Sequence, residues 1–214
     1  WLRASLEGEL GSSAFLPDSV VQLDPRSGDR VVYNSRRGAR PHDNQSAAVP
    51  TGEAELLARP CVICSGKSTG IIDVADLSEG FTFINKNLYP VLFPGSVPRA
   101  APSEPTASGA PVQGMHFLQW TSSIHHRDWH NMPQADAEIA VERLAALEGM
   151  LLASGDAVMP DNEAVFGDAP GRRGYVGVVK NYGALVGGSL IHGHQQIAYA
   201  SVMPRRLADN LRFE

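Results

Sequence analysis

Asn181–Ala200 reads NYGALVGGSLIHGHQQIAYA, and the rest of the chain is organised around it. A glycine pair, a serine, two histidines and a glutamine follow in the pattern Gly-x-Ser-x-x-His-x-His-x-Gln, at Gly187, Ser189, His192, His194 and Gln196. Residues two apart share one face of a strand. An extended His192–Gln196 segment therefore places His192, His194 and Gln196 on one side. Gly187 and Gly188 let a backbone approach a phosphate closely. Gly193, between the histidines, is expected to leave room for a substrate beside the ring. Ile197 and Tyr199 carry the strand into a core. A buried strand whose histidines merely satisfy hydrogen bonds is the bland alternative. Two histidines in register, after Gly-Gly-Ser and before Gln, argue against it.

The chain is long enough, at 214 residues, to bury a sizeable core. Its 43% apolar and 19% charged content is that of an ordinary globular protein, and its net charge of -5 argues against a nucleic-acid surface. No apolar run is long enough to span a membrane. Trp1–Leu23 has no basic end followed by an apolar stretch, so no signal peptide is expected. Both ends look cut, and RRLADNLRFE reads as an unfinished helix. The two cysteines, Cys61 and Cys64, have the spacing of metal ligands or a redox pair, not of a secreted disulfide framework. A cytoplasmic setting follows.

Val20–Asn34 reads as a hairpin turning at Pro25 and Gly28. The basic loop SRRGARP follows; read alone it is a solvated charge run, with Arg37 and Arg40 exposed and given no task in the fold. FTFINKNLYPVL alternates and breaks at Pro90, as an edge strand does. Residues 93–113 are rich in Pro, Ala, Ser and Gly and are expected to form a mobile loop. Met115–Trp120 and Tyr175–Lys180 read as strands. Pro133–Ser154 is the clearest helix, with Ala140, Leu144, Leu147 and Leu151 at helical spacing.

The His-x-His-x-Gln stretch resembles the histidine-triad superfamily, and within it the galactose-1-phosphate uridylyltransferase branch. DPRSGDRVVYNSRRGARP, Cys61-x-x-Cys64, the segment around Phe83 and Asn87, the strand running into TSSIHHRDWHNMP, and Asn181-x-Gly183 are similar to that family's segments, in its order. The resemblance covers about Gln22 to Ala200. It implies an α+β fold with a mostly antiparallel sheet, of which residues 1–214 form the amino-terminal half, in a homodimer. It also implies structural zinc on Cys61, Cys64, His125 and His192, with His126 as the next candidate after His125. Phe83 and Asn87 would lie against the nucleotide. Arg37, Arg40, Asn181, Gly187 and Gly188 would contact phosphates. His194 would be the nucleophile, with Gln196 and Ser189 holding phosphate oxygens. A glutamine cannot protonate a leaving group, so Gln196 points to transfer between phosphates rather than hydrolysis. The implied substrates are a nucleotide sugar and a sugar phosphate. Leu88, where the family carries an acidic residue, keeps an ADP-glucose or dinucleoside polyphosphate phosphorylase open. A non-catalytic, zinc-stabilised nucleotide-binding module is the third reading.

Overall fold

The computed structural model describes residues 19–35, 37, 60–61, 63–65, 84–87, 89–93, 110–112, 114–122, 124–153, 174–182, 190–200, 202 and 204–210. The first hairpin pairs β1 (Val20–Leu23) with β2 (Arg30–Tyr33), antiparallel, from Val20↔Tyr33 to Leu23↔Arg30. Its turn closes because Gly28 adopts φ 73°, a conformation that side-chain-bearing residues avoid, and its N–H reaches the Asp24 carbonyl at 2.7 Å. A short strand β4 (Ala110–Pro111) adds to the other side of β1, giving the order β2-β1-β4.

The second sheet has the order β3-β5-β7-β6, antiparallel throughout. Its strands are β3 (Ile84–Lys86), β5 (Gly114–Trp120), β6 (Tyr175–Val179) and β7 (His194–Ala200). The expected edge strand is β3. In β5 and β7 the register runs from Gly114↔Ala200 to Trp120↔His194. One face carries Met115, Phe117, Ile197 and Tyr199, and these pack with Ile84, Leu147 and Leu151 into the main core. Leu147 and Leu151 come from α1 (Gln134–Ala153), whose apolar stripe at Ala140, Leu144, Leu147 and Leu151 faces the sheet as its periodicity predicts. Pro133 starts the helix, its carbonyl accepting the N–H groups of Asp136 and Ala137. The last helix, α2, spans Arg205–Asn210.

The opposite face carries His116, Trp120, His194 and Gln196. Toward its far end the small side chains of Ala198 and Ala200 leave space for Val21, Leu92, Val112 and Val202, a second apolar cluster that seats the hairpin on the sheet. That seating brings the loop after β2 alongside β7. Of the stretch expected to be a mobile loop, residues 94–109 and 113 lie outside the described residues. Its two ends are built into the fold: Phe93 is buried in the main core and Ala110–Pro111 forms β4. The architecture is the expected α+β fold, mostly antiparallel. No helix among the described residues is long and apolar enough to cross a membrane.

The two faces of α1 make the packing testable. Leu147 is fully buried and Val141 is 52% exposed. Leu147→Ala is expected to lower unfolding free energy by about 2–5 kcal/mol. Val141→Ala should stay within about 0.5 kcal/mol. Urea unfolding measures both, and equal losses would contradict this orientation of the helix.

Candidate functional site

Strand β7 begins at His194, two residues later than expected, and His192 lies in a bend before it. The bend sends the two histidines to different tasks. His192 turns its Nδ1 toward Cys61 and Cys64, at 3.7 and 3.5 Å from their Sγ atoms. His125, in the turn after β5, sets its Nδ1 3.6 Å from Cys64 Sγ. The four ligand atoms of Cys61, Cys64, His125 and His192 all lie within 4.8 Å of one another, a group that could hold a metal ion. Zn–S and Zn–N bonds of about 2.3 and 2.05 Å would give a tetrahedron an S···N edge of about 3.6 Å, so the donor types and spacings fit such an ion. His192 also donates from Nε2 to the Ser122 carbonyl at 2.6 Å, which leaves Nδ1 with its lone pair toward the thiols. Burial holds the His192 pKa below the ordinary imidazole value, favouring the neutral ring a ligand must be. His126 is exposed and outside the cluster, and His130 stacks edge-on against Tyr182 just before α1. The cysteine pair therefore joins His125, as the alignment of segments implied.

His194 is 9% exposed, its ring tilted against Trp120. Its Nδ1 donates to the carbonyl of His192 at 2.8 Å. The unprotonated nitrogen of the neutral ring is then Nε2. Burial, first, and the nearby Lys180 ammonium lower the His194 pKa, while the carbonyl bond opposes them. Lys180 donates to the backbone carbonyl of His194 at 2.6 Å and pairs with the buried carboxylate of Asp128 at 2.5 Å. Asp128 also accepts from the Thr121 hydroxyl and the Trp129 N–H.

Gly193 does not open space for a substrate. A Cβ there would sit 2.5 Å from the Arg127 carbonyl oxygen and 2.7 Å from Thr121 Oγ1. The missing side chain lets the turn carrying His125 and Asp128 press against the backbone between the two histidines.

Gln196 shares the His194 face. Its Oε1 accepts from Arg37 Nη2 at 2.9 Å and lies 3.1 Å from His116 Nε2. Arg37 also donates from Nη1 to the Tyr89 carbonyl at 3.0 Å, and its backbone N–H is bound by Asn34 Oδ1. The expectation that Arg37 has no task in the fold is thus corrected: its fork ties the loop after β2 to β7 and to the segment after β3. His116, absent from the sequence expectations, is 3% exposed and accepts the Val91 N–H at Nδ1, at 3.0 Å. Burial, helped by the Arg37 guanidinium, pushes its pKa down to about 3. Asn87 is buried beside it, with Oδ1 taken by the Tyr89 N–H. Asn181 lies half-buried two residues past β6. Arg40, Phe83, Gly187, Gly188 and Ser189 lie outside the described residues. His116 stood at an alternating position of an apolar strand, Asp128 in a polar turn and Lys180 at a strand end. Only the strand pairing brings them to the site.

Two outcomes follow from this geometry. Gly193→Ala should destabilise the fold, whereas Gly149→Ala, exposed in the C-terminal part of α1 with nothing within 4 Å of the added carbon, should raise stability by about 0.5–1 kcal/mol. Thermal unfolding of the two variants checks this, and a neutral Gly193→Ala would contradict the packing. For His116 the sign follows from linkage. The unfolded ring takes up a proton below about pH 6.5, while the folded ring resists it down to about 3, so stability falls as pH drops through that window. His116→Gln should flatten this dependence in unfolding curves measured from pH 7 to about 5.

No family model and no curated protein matches the chain. Two solved uridylyltransferase structures, one of them a mutant, superpose on it with TM-scores of 0.54 and 0.53 at 21% and 20% identity. They cover 91% of this chain in both cases, and 49% and 48% of their own chains. An ADP-glucose phosphorylase from Arabidopsis thaliana with bound ADP-glucose superposes at a TM-score of 0.47 and 18% identity, over 92% of this chain and 53% of that one. The chain spans about half the length of the structures it matches. Over that half, it has the uridylyltransferase fold.

Proposed function

We propose that the chain is the nucleophile-bearing half of a nucleotidyltransferase, of the galactose-1-phosphate uridylyltransferase kind, with a UDP-hexose donor and a hexose-1-phosphate acceptor. The observation that carries this reading is the hydrogen bond from His194 Nδ1 to the His192 carbonyl. It fixes the neutral tautomer whose Nε2 lone pair can attack phosphorus. In the first step Nε2 bonds to the α-phosphorus as the bond to the bridging oxygen breaks, and the sugar phosphate leaves with that electron pair. A phosphate leaving group needs no proton near neutral pH, which suits Gln196 in a position where an acid would serve a poorer leaving group. In the second step an acceptor phosphate oxygen attacks the same phosphorus, the P–N bond breaks, and the imidazole recovers its lone pair.

Gln196 offers its amide nitrogen to a phosphate oxygen, and Arg37, bound to the same side chain, adds positive charge beside it. Ser189, Arg40 and Asn181 are assigned to the same phosphates, Gly187 and Gly188 to the backbone around them, and Phe83 and Asn87 to the nucleoside. Cys61, Cys64, His125 and His192 would hold zinc in a closed four-ligand site, where the ion supplies rigidity and no reactive water.

Intact-mass analysis of the full-length protein mixed with UDP-glucose or ADP-glucose tests the reaction. An acid-labile nucleotidyl adduct is expected on wild type and absent from His194→Gly. Absence of the adduct from wild type with every donor would leave a nucleotide-binding module. Discharge by a sugar 1-phosphate, rather than by inorganic phosphate, would separate transferase from phosphorylase. Metal analysis is expected to find one zinc per chain. Cys61→Ser should lose metal and stability together, because binding at such a site is coupled to folding. Zinc-free protein purified without chelator would remove that assignment.

A further inference from the structure

We infer that His116 is a positioning residue for transfer: its neutral, Nε2-protonated ring, together with Arg37, aims the Gln196 amide nitrogen at the substrate phosphate. The inference rests on the proposed reaction, in which that amide touches phosphate.

A glutamine amide has two ends of similar shape and opposite hydrogen-bonding sense, so its neighbours must choose which end faces the reacting group. Arg37 makes half of that choice. A guanidinium only donates, so the Gln196 atom 2.9 Å from Nη2 is the oxygen. His116 makes the other half. Its Nδ1 accepts the Val91 N–H, so the one proton of the neutral ring sits on Nε2, and Nε2–H donates to the same oxygen at 3.1 Å. Asn87 Nδ2, 3.3 Å from that nitrogen, meets it donor to donor and makes no bond; Asn87 is held instead by its Oδ1 on the Tyr89 N–H. Both acceptor directions of the Gln196 oxygen are therefore taken. A flipped amide would set its NH2 against two donors at once. Among the described residues no acceptor takes Nε2 of Gln196, and that nitrogen belongs to the face that carries His194.

The ring stays in this form because burial and the adjacent guanidinium disfavour its protonation. A charged ring would also have to give up the Val91 N–H, the backbone bond that locks its orientation. Loss of the ring would leave Gln196 with a single anchor and freedom to swing. A misplaced group of this kind costs transfer on the order of tenfold to a hundredfold.

The test has two arms, both on the full-length protein. In the first, ¹⁵N spectra of the His116 ring should show a neutral, Nε2-protonated imidazole, unchanged from pH 8 to about 5, well below the ordinary histidine pKa of about 6.5. A ring protonated on Nδ1, or titrating in that range, overturns the inference. In the second arm, the rate of nucleotidyl-adduct formation from α-³²P-labelled UDP-glucose or ADP-glucose is followed through a double-mutant cycle. His116→Phe should lower the rate by the factor above. His116→Gln, which keeps a side-chain donor near the Nε2 position, should recover most of it. In a Gln196→Ala background His116→Phe should cost nothing more. Additive losses, or no rescue by glutamine, would show that His116 acts on the fold and not through Gln196. Wild-type protein that forms no adduct overturns the reaction itself and the positioning role with it. An active wild type with additive losses overturns His116 alone.

Discussion

A neutral imidazole has one proton to place, and the partner it finds decides what the other nitrogen can do. Three buried histidines on one side of the sheet are governed by this constraint. His192 gives its proton to the Ser122 carbonyl and turns a lone pair to the cysteines. His194 gives its proton to the His192 carbonyl and keeps a lone pair on Nε2. His116 has its lone pair taken by the Val91 N–H and gives its proton to Gln196. The same side chain thus turns a lone pair to the cysteines in one case, keeps it on an unbonded Nε2 in the second, and orients an amide in the third. Burial lowers the pKa of all three, which keeps each ring in the single-proton state that makes the division possible.

The pairing of β5 with β7 makes these assignments cohere. Its register places Trp120 across from His194 and Leu118 across from Gln196, with His116 across from Ala198. A slip by one residue would turn His194 and Gln196 to the helix side and put Ile197 and Tyr199 on the opposite face. The main core opposes this, since a slip would take Ile197 and Tyr199 away from Met115, Phe117 and the leucines of α1 and leave polar side chains in their place. Core packing on one face therefore sets chemical geometry on the other.

Much of this was legible in the sequence, and the boundary has a physical basis. The hairpin, α1, β5 and β6 announced themselves through local periodicity and turn residues, as did the edge position of β3. The grouping of Cys61, Cys64, His125 and His192 was legible because such donor types are few and Cys61-x-x-Cys64 is a local signal. Contacts between distant polar residues were not legible. Arg37 and Gln196 are 159 positions apart, so a basic loop gave no hint that one of its arginines braces a strand. His116 looked like an ordinary alternating residue of an apolar strand. Gly193 was misread for a related reason: a missing side chain signals close approach, but the sequence does not say what approaches. Here it is the backbone of the turn carrying Asp128, not a ligand.

That turn explains how the Cys–His cluster and the separately oriented His194 can share so short a span. The segment from His125 to Asp128 supplies a cluster ligand at one end and, at the other, the carboxylate that holds Lys180. Lys180 grips the carbonyl of His194, while the Thr121 N–H takes the carbonyl of Gly193 at 2.9 Å. Each peptide unit around His194 is thereby held by a different group. The carbonyl that orients the His194 ring belongs to His192, whose side chain is fixed by the cysteines and by Ser122. Whatever immobilises the His192 ring also immobilises that carbonyl, and hence the tautomer and direction of His194. In the proposed reaction the cluster would need no contact with substrate to matter for transfer. It acts through one peptide unit, and Gly193 is the residue that lets that unit lie flat against its support.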